Sequence, residues 1–297
     1  MKKTLAMMTA AMMVAGALAG CGSSSSTPVA TTAAATTAAA TEAATTEVAT
    51  TEAGDTAAAA EGTVKTPSGK FTVGFDQEFP PMGFVGDDGQ FTGFDLDLAK
   101  EVASRLGLEF VPQPINWDAK DMELDSGNID CIWNGFTMQG REDAYTWVGP
   151  YMANNQVFVV TADSDIASKA DLAGKAVEVQ KDSSGLAALQ GDAELSASFG
   201  SMTEVADYNT ALMDLESGAC DAICMDSIVA GYQIKSSGKD MKILDDTLSA
   251  EEYGIGFKKG EDELAKAVYD TLMEMKDDGT VAKISNDWFG SDVFTLK

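Results

Sequence analysis

Leu124-Asp-Ser-Gly-Asn-Ile-Asp130-Cys-Ile-Trp-Asn-Gly135 is echoed later in the chain by Leu215-Glu-Ser-Gly-Ala-Cys-Asp221-Ala-Ile-Cys-Met-Asp226. Each stretch reads as a helix end, a glycine that stops the helix, an acid, and then a buried strand. Two αβ units of similar build imply two lobes, although so short an echo also fits a chance similarity of αβ units. In open α/β sheets, ligands sit outside the carboxyl ends of strands. Two lobes facing each other would therefore bring Gly135–Arg141 and Asp226 to one cleft.

The alternation extends on both sides. Phe71–Phe75 reads as a strand. Asp95 is expected to cap a helix with apolar Leu98, Val102 and Leu106 and a stop at Gly107. Leu108–Val111 is a strand, 118–126 a helix and Ile129–Trp133 a strand. Gln156–Val160 opens a new region, followed by strand Gly174–Val179 and a helix from Ser183. A helix over 203–217 carries Val205, Tyr208, Leu212 and Leu215 on one face. Strands Asp221–Met225 and Met241–Leu244 flank a helix at Ser227–Ile234. Tyr253–Phe257 and a helix from 262 to Lys276 follow. The expected class is α/β, a βα alternation with parallel sheets.

Only Arg105 and Arg141 are arginines; the other 18 basic residues are lysines. Arg105 lies in the last turn before Gly107, where a cation suits the helix dipole. Arg141 follows the apolar run Ile129–Thr137. Two readings stand for it. Its planar fork grips a carboxylate through two parallel hydrogen bonds, which lysine cannot do. Alternatively it makes a surface ion pair with Glu142 or Asp143.

The composition excludes several classes. The net charge of −27 argues against nucleic acid and against polybasic membrane binding. The absence of histidine removes Ser-His and Cys-His catalysis and the commonest zinc sites. Cys131, Cys220 and Cys224 read as buried thiols, because four extended residues hold Cys220 and Cys224 about 13 Å apart. No metal and no cofactor is expected.

Lys2 and Lys3, then an apolar segment from Leu5 to Ala17, read as a secretory signal too short to span a bilayer permanently. Leu18-Ala-Gly-Cys21 resembles a bacterial lipobox, which implies a signal peptide over 1–20 and a lipidated Cys21, with diacylglycerol and palmitate as a membrane anchor. Residues 21–67 are Ser, Thr and Ala with scattered acids, and nothing large to bury. They read as a disordered tether.

Gly93-Phe-Asp-Leu-Asp-Leu-Ala-Lys-Glu-Val102-Ala resembles the signature of the extracellular solute-binding proteins, family 3. Gly74-Phe-Asp76-Gln-Glu-Phe79-Pro-Pro and Gly279-Thr…Trp288-Phe-Gly290 agree with it. The resemblance covers about 70–297. It implies a two-lobed type II periplasmic-binding-protein fold, with lobe one over 68–153 and 253–297 and lobe two over 156–249. Hinge crossings would lie near Asn154–Val157 and Ala250–Tyr253.

The resemblance also implies a site. The ligand carboxylate would be held by Arg141, by the Gly135-Phe-Thr137 segment, and by the helix start at Ser183 and Ser184, which dipole reasoning also favours. Asp226 would accept from the ammonium. Phe79 and Trp117 would be aromatic walls, Asp76 a side-chain contact, and Gln180 would suit a neutral amide. The gap from Thr137 to Arg141 is one residue shorter than the family's usual one. Plainer readings remain beside these. Phe79 and Trp117 fit a core, Asp226 a cap before Ser227, Ser183 and Ser184 caps of their own helix, and Asp95 and Asp97 a helix start. Trp133 and Asn134 read as strand and hinge packing.

The expected function is an extracytoplasmic, lipid-anchored, monomeric receptor that delivers a polar amino acid to an ABC transporter permease. It would not be an enzyme. Two alternatives stand: an enzyme on the same fold, for which Lys181 with Ser183 or Ser184 is the one candidate pair, and a sensing subunit.

Overall fold

The computed structural model describes residue 66 and residues 68–297. The expected signal segment, Cys21 and, but for Thr66, the tether lie outside the described residues.

The chain runs through β1 (Lys70–Phe75), β2 (Glu78–Phe79), β3 (Gly83–Val85), β4 (Phe91–Thr92), α1 (Phe94–Leu106) and β5 (Glu109–Pro114). A 3₁₀ turn at Trp117–Ala119 leads into α2 (Lys120–Ser126), β6 (Cys131–Thr137) and β7 (Tyr145–Thr161). Next come β8 (Ala176–Gln180), α3 (Ser184–Gly191), α4 (Ala193–Ser198), β9 (Ser201–Val205) and α5 (Tyr208–Ser217). β10 (Ala222–Asp226), α6 (Ser227–Ser237), β11 (Met241–Lys258), α7 (Asp262–Asp277) and α8 (Thr280–Phe289) complete it.

Among the described residues, eight strands form one sheet in the order β5-β1-β6-β11-β7-β10-β8-β9. β1, β5 and β6 are parallel, as are β8, β9 and β10. The sheet is nevertheless mixed. β7 and β11 run antiparallel to each other and to their neighbours β10 and β6. This corrects the expectation of parallel sheets, which holds for β1, β5 and β6 and for β8, β9 and β10 but not for β7 and β11. The two echoed stretches become β6 and β10, one in each half of the sheet. Every residue of both is buried, as suits strands covered on both faces.

Two further corrections concern length. Gln156–Val160 is the end of a 17-residue strand, and Met241–Leu244 and Tyr253–Phe257 are parts of one 18-residue strand. Gly149-Pro150, Asn154-Asn155 and Asp245-Asp246 are local breaker signals. The ladder between the two strands, from Tyr145 opposite Lys258 to Thr161 opposite Met241, overrides them, with register shifts on the way. The expected helix over 203–217 is also shorter. Val205 ends β9, and Asp207, in extended geometry, caps α5 by accepting from Thr210 N at 2.7 Å.

Asp95 does not cap α1. The cap is Gly93, whose φ of 147° puts it in a region that favours glycine. A Cβ there would fall 2.2 Å from the Met82 carbonyl oxygen. Asp95, fully buried, instead accepts from Gly135 N at 2.7 Å and Tyr151 Oη at 2.8 Å. Asp97 accepts from Trp288 Nε1 at 2.8 Å, tying α1 to α8. The signature acids thus reach across the fold. Arg105 does more than suit a dipole: it binds Glu101, Asp278 and Thr280. Among the described residues, Cys131, Cys220 and Cys224 are free and buried, and burial pushes each thiol up.

Candidate ligand-binding site

The carboxyl ends of β6 and β10 deliver Thr137 and Asp226. β6 is held on two sides before it ends. Asp95 accepts from Gly135 N, and Asn134 Oδ1 accepts from Asp76 N at 2.9 Å. Gly135, at φ 56°, lies against Phe79 and Tyr253, so a Cβ there would approach the Phe79 ring to 3.0 Å. Asn134 therefore locks β1 to β6, a sharper role than general packing.

Asp226 is 3% exposed and is the residue before α6, but its side chain makes no cap. The plain cap reading fails. Asp226 Oδ1 accepts from Asn154 Nδ2 at 2.6 Å and from Tyr253 Oη at 2.7 Å. Tyr208 Oη donates to Oδ2 at 3.3 Å. Burial, then the neighbouring Glu251 charge, pushes the Asp226 carboxyl far above the usual range.

Glu251, on β11, is 5% exposed. Its Oε1 accepts from Asn154 Nδ2 at 2.6 Å, Gln156 Nε2 at 2.9 Å, Thr137 Oγ1 at 2.9 Å and Ser184 Oγ at 3.4 Å. Thr137, at the end of β6, and Ser184, at the start of α3, are themselves 3.1 Å apart.

Arg141 stands in the turn between β6 and β7. Its Nη1 donates to Thr137 O at 3.2 Å and its Nη2 to Asp182 O at 3.2 Å, while the guanidinium lies over the Phe136 ring. Among the described residues it makes no ion pair, so the surface-pair reading with Glu142 or Asp143 fails. Asp182 has a positive φ of 55°, rare for a side-chain-bearing residue. Its carboxylate pairs with the buried Lys120, and its carbonyl also accepts from Lys120 Nζ at 3.4 Å. Ser183 follows as the cap of α3, accepting from Leu186 N at 3.0 Å. The cations of α2 and of the 138–144 turn thus converge on the loop that opens α3.

Asp76 accepts from Gln180 Nε2 at 2.7 Å, joining the ends of β1 and β8. Burial pushes Asp76 up to about 6 against the hydrogen bonds that lower it. Trp117 is half-buried, edge-on to Phe136 at 5.5 Å and under the Lys120 ammonium. Phe79 is 6% exposed and packs on Tyr208 at 5.8 Å. Beside them opens a cleft of about 810 Å³. Asp76, Glu78, Asp118, Glu123, Glu204 and Asp207 line it, with Lys181. Lys181 is engaged by Asp118 at 2.6 Å.

The family model of the bacterial extracellular solute-binding proteins, family 3, matches residues 71–291. The chain belongs to this family. This family 3 protein is 32% identical over 231 residues to the L-cystine-binding protein TcyJ of Escherichia coli K12, covering 76% of this chain and 84% of that protein. It is 29% identical over 245 residues to the histidine-binding periplasmic protein of Salmonella typhimurium LT2, covering 76% and 89%. The structure of an ABC uptake transporter substrate-binding protein from Streptococcus pneumoniae with bound histidine superposes with a TM-score of 0.74. That pair is 34% identical, and the match covers 77% of this chain and 95% of that one. Neighbours of this kind share the two-lobed fold.

The family 3 protein brings its predicted contacts into two groups. Thr137, Ser184 and Asp226 meet around Glu251 and Asn154, with Gly135 and Arg141 at its edge. Asp76 and Gln180 meet beside Trp117 at the acidic cleft. Phe79 is nearer to core than to an open wall. Glu251, Asn154, Gln156, Lys120 and Asp182 escaped the sequence reading. Asn154 and Glu251 carried one signal, as polar residues within the expected hinge crossings.

Proposed function

We propose that this protein is an extracytoplasmic receptor that binds a polar amino acid between its lobes and delivers it to an ABC importer. One observation carries the reading. Among the described residues, Arg141 presents a guanidinium with no ion pair and Asp226 a buried carboxylate with none, the first in the turn after β6 and the second at the end of β10. A zwitterion needs this pair of charges. The six acids of the neighbouring cleft favour a cationic side chain over an acidic one, and Gln180 suits a neutral polar one. The lobes are 68–153 with 253–297, and 156–249. Asn154–Val157 and Ala250–Tyr253 form the crossings about which they close. The receptor acts as a monomer without catalysis. Lys181, the base that a Ser-Lys hydrolase would require, is engaged by Asp118.

Closure is expected to be measurable. A saturating amino acid should reduce the radius of gyration in solution scattering. It should also change a tryptophan emission that Trp117→Phe largely removes, at one ligand per chain and with the ligand recovered unaltered. Unchanged scattering and emission at saturation would count against closure around this cleft. A converted product would move the assignment to an enzyme.

Anchoring through Cys21 is part of the same proposal, motivated by Leu18-Ala-Gly-Cys21. Mass spectrometry of protein from its native membrane should find a mature chain beginning at a lipid-bearing Cys21. Cleavage elsewhere, or an unmodified thiol, would remove the anchor from the model of function.

A further inference from the structure

Asp226 and Glu251 come from different strands, yet one amide nitrogen, Asn154 Nδ2, donates to both at 2.6 Å. The two carboxylates are therefore within two hydrogen-bond lengths of each other. Both are almost fully buried. Among the described residues no lysine or arginine pairs with either. Two adjacent buried carboxylates without a cation cannot both stay ionised; one holds a proton. The groups facing them do not supply the missing charge. Tyr208 from α5 and Tyr253 from β11 stay neutral, held well above their usual range by burial first and then by these carboxylates. Cys224 on β10 stays a thiol for the same reasons. Thr137, Ser184, Asn154 and Gln156 are uncharged donors. The nearest guanidinium, Arg141, is engaged by the carbonyls of Thr137 and Asp182.

A second observation points to a donor-bearing ligand. Gln156 is fully buried in the same cluster and gives its amide to Glu251 and Ser184, yet its Oε1 has no hydrogen-bond partner among the described residues. The cluster is thus rich in oxygen acceptors and lacks one positive charge. An α-ammonium group carries that charge and three N–H donors.

Resting on the receptor reading above, we propose that Glu251 is a second anionic contact for the ligand's ammonium, and that ligand entry expels to solvent a proton which the Asp226–Glu251 pair otherwise holds. Ligand binding and proton release are one equilibrium. Affinity therefore rises with pH wherever the free pair is still protonated and the ligand ammonium is intact, by up to about tenfold per pH unit. Glu251 selects for the cationic end of the ligand, while Arg141 reads the carboxylate.

The test is titration calorimetry of the intact protein at pH 7 with L-arginine, L-lysine, L-glutamine and L-asparagine, whose side chains do not titrate near that pH. Each titration is run in buffers of different ionisation enthalpy, whose slope counts protons. Wild type should release about one proton per ligand bound, and its dissociation constant should fall as pH rises from 6 to 7. Glu251→Gln, with unchanged circular dichroism, should still bind but release less than about half as much. One-to-one binding by wild type with no release overturns this proposal and leaves the receptor reading intact. So does a Glu251→Gln protein that releases as much as wild type. The pH series on wild type decides the matter if the variant does not fold. Failure of all four amino acids to bind overturns both readings.

Discussion

Replacing Arg141 by alanine is expected to weaken amino-acid binding by about 3–5 kcal/mol, a hundredfold to a few thousandfold, because the ligand carboxylate would be buried without a partner. The side chain sits at a turn, donating to two carbonyls and lying over the Phe136 ring, so the fold should survive its loss. Arg141→Lys keeps the charge but loses the fork, and should recover only part of the affinity. Asp226→Ala should cost a similar amount from the ammonium side. Calorimetry on variants with wild-type circular dichroism is the measurement. Retained affinity in Arg141→Ala would mean that the carboxylate is held elsewhere. Decarboxylated and deaminated analogues should fail against wild type in parallel.

Asp95→Ala is expected to destabilise the fold by roughly 2–5 kcal/mol in denaturant unfolding. It strands two buried donors, Gly135 N–H and Tyr151 O–H, each costing about 1–3 kcal/mol. It should also weaken binding, since Gly135 begins the segment that carries Thr137 and Arg141. The same residue shapes the pH dependence of stability. Burial pushes Asp95 from 3.8 up to about 7. Between those values the folded state holds a proton that the unfolded state has lost. The stability linked to that proton is therefore full below pH 4, declines as pH rises to about 7 and is gone above. Wild-type stability should decline over that window, and Asp95→Ala should flatten the decline. A variant as stable as wild type would show that the two donors find other partners.

The sequence reading located β6 and β10 because both are short, buried and followed by special residues, and their helix stops are glycines. It singled out Arg141 by rarity and Asp226 by its strand end, and these side chains lie beside Thr137 and Asn154. It missed the length of β7 and β11 because their pairing is non-local. Glycine, proline and paired acids argue locally for breaks, and only the partner strand shows that the ladder runs on. Glu251 was illegible for the same reason. An acid in Ala250-Glu-Glu-Tyr253 looks solvated until Asn154 and Thr137 close over it. Asp95 was misread because a helix-start acid is ordinarily a local device, and its partners lie on β6 and β7.

The pairing of β7 with β11 has a consequence for the order in which this protein can assemble. The two strands form one antiparallel hairpin, and everything from residue 162 to residue 240 is inserted at its tip. β11 is the inner strand between β6 and β7, so the first half of the sheet has no joined centre until residue 258 exists. A nascent chain that ends earlier can order the inserted segment but leaves β6 with an open edge. Closing a loop of this length costs entropy before the ladder returns any stabilisation. Completion of the body therefore waits for nearly the whole chain, until the strand that ends at Lys258 has been made.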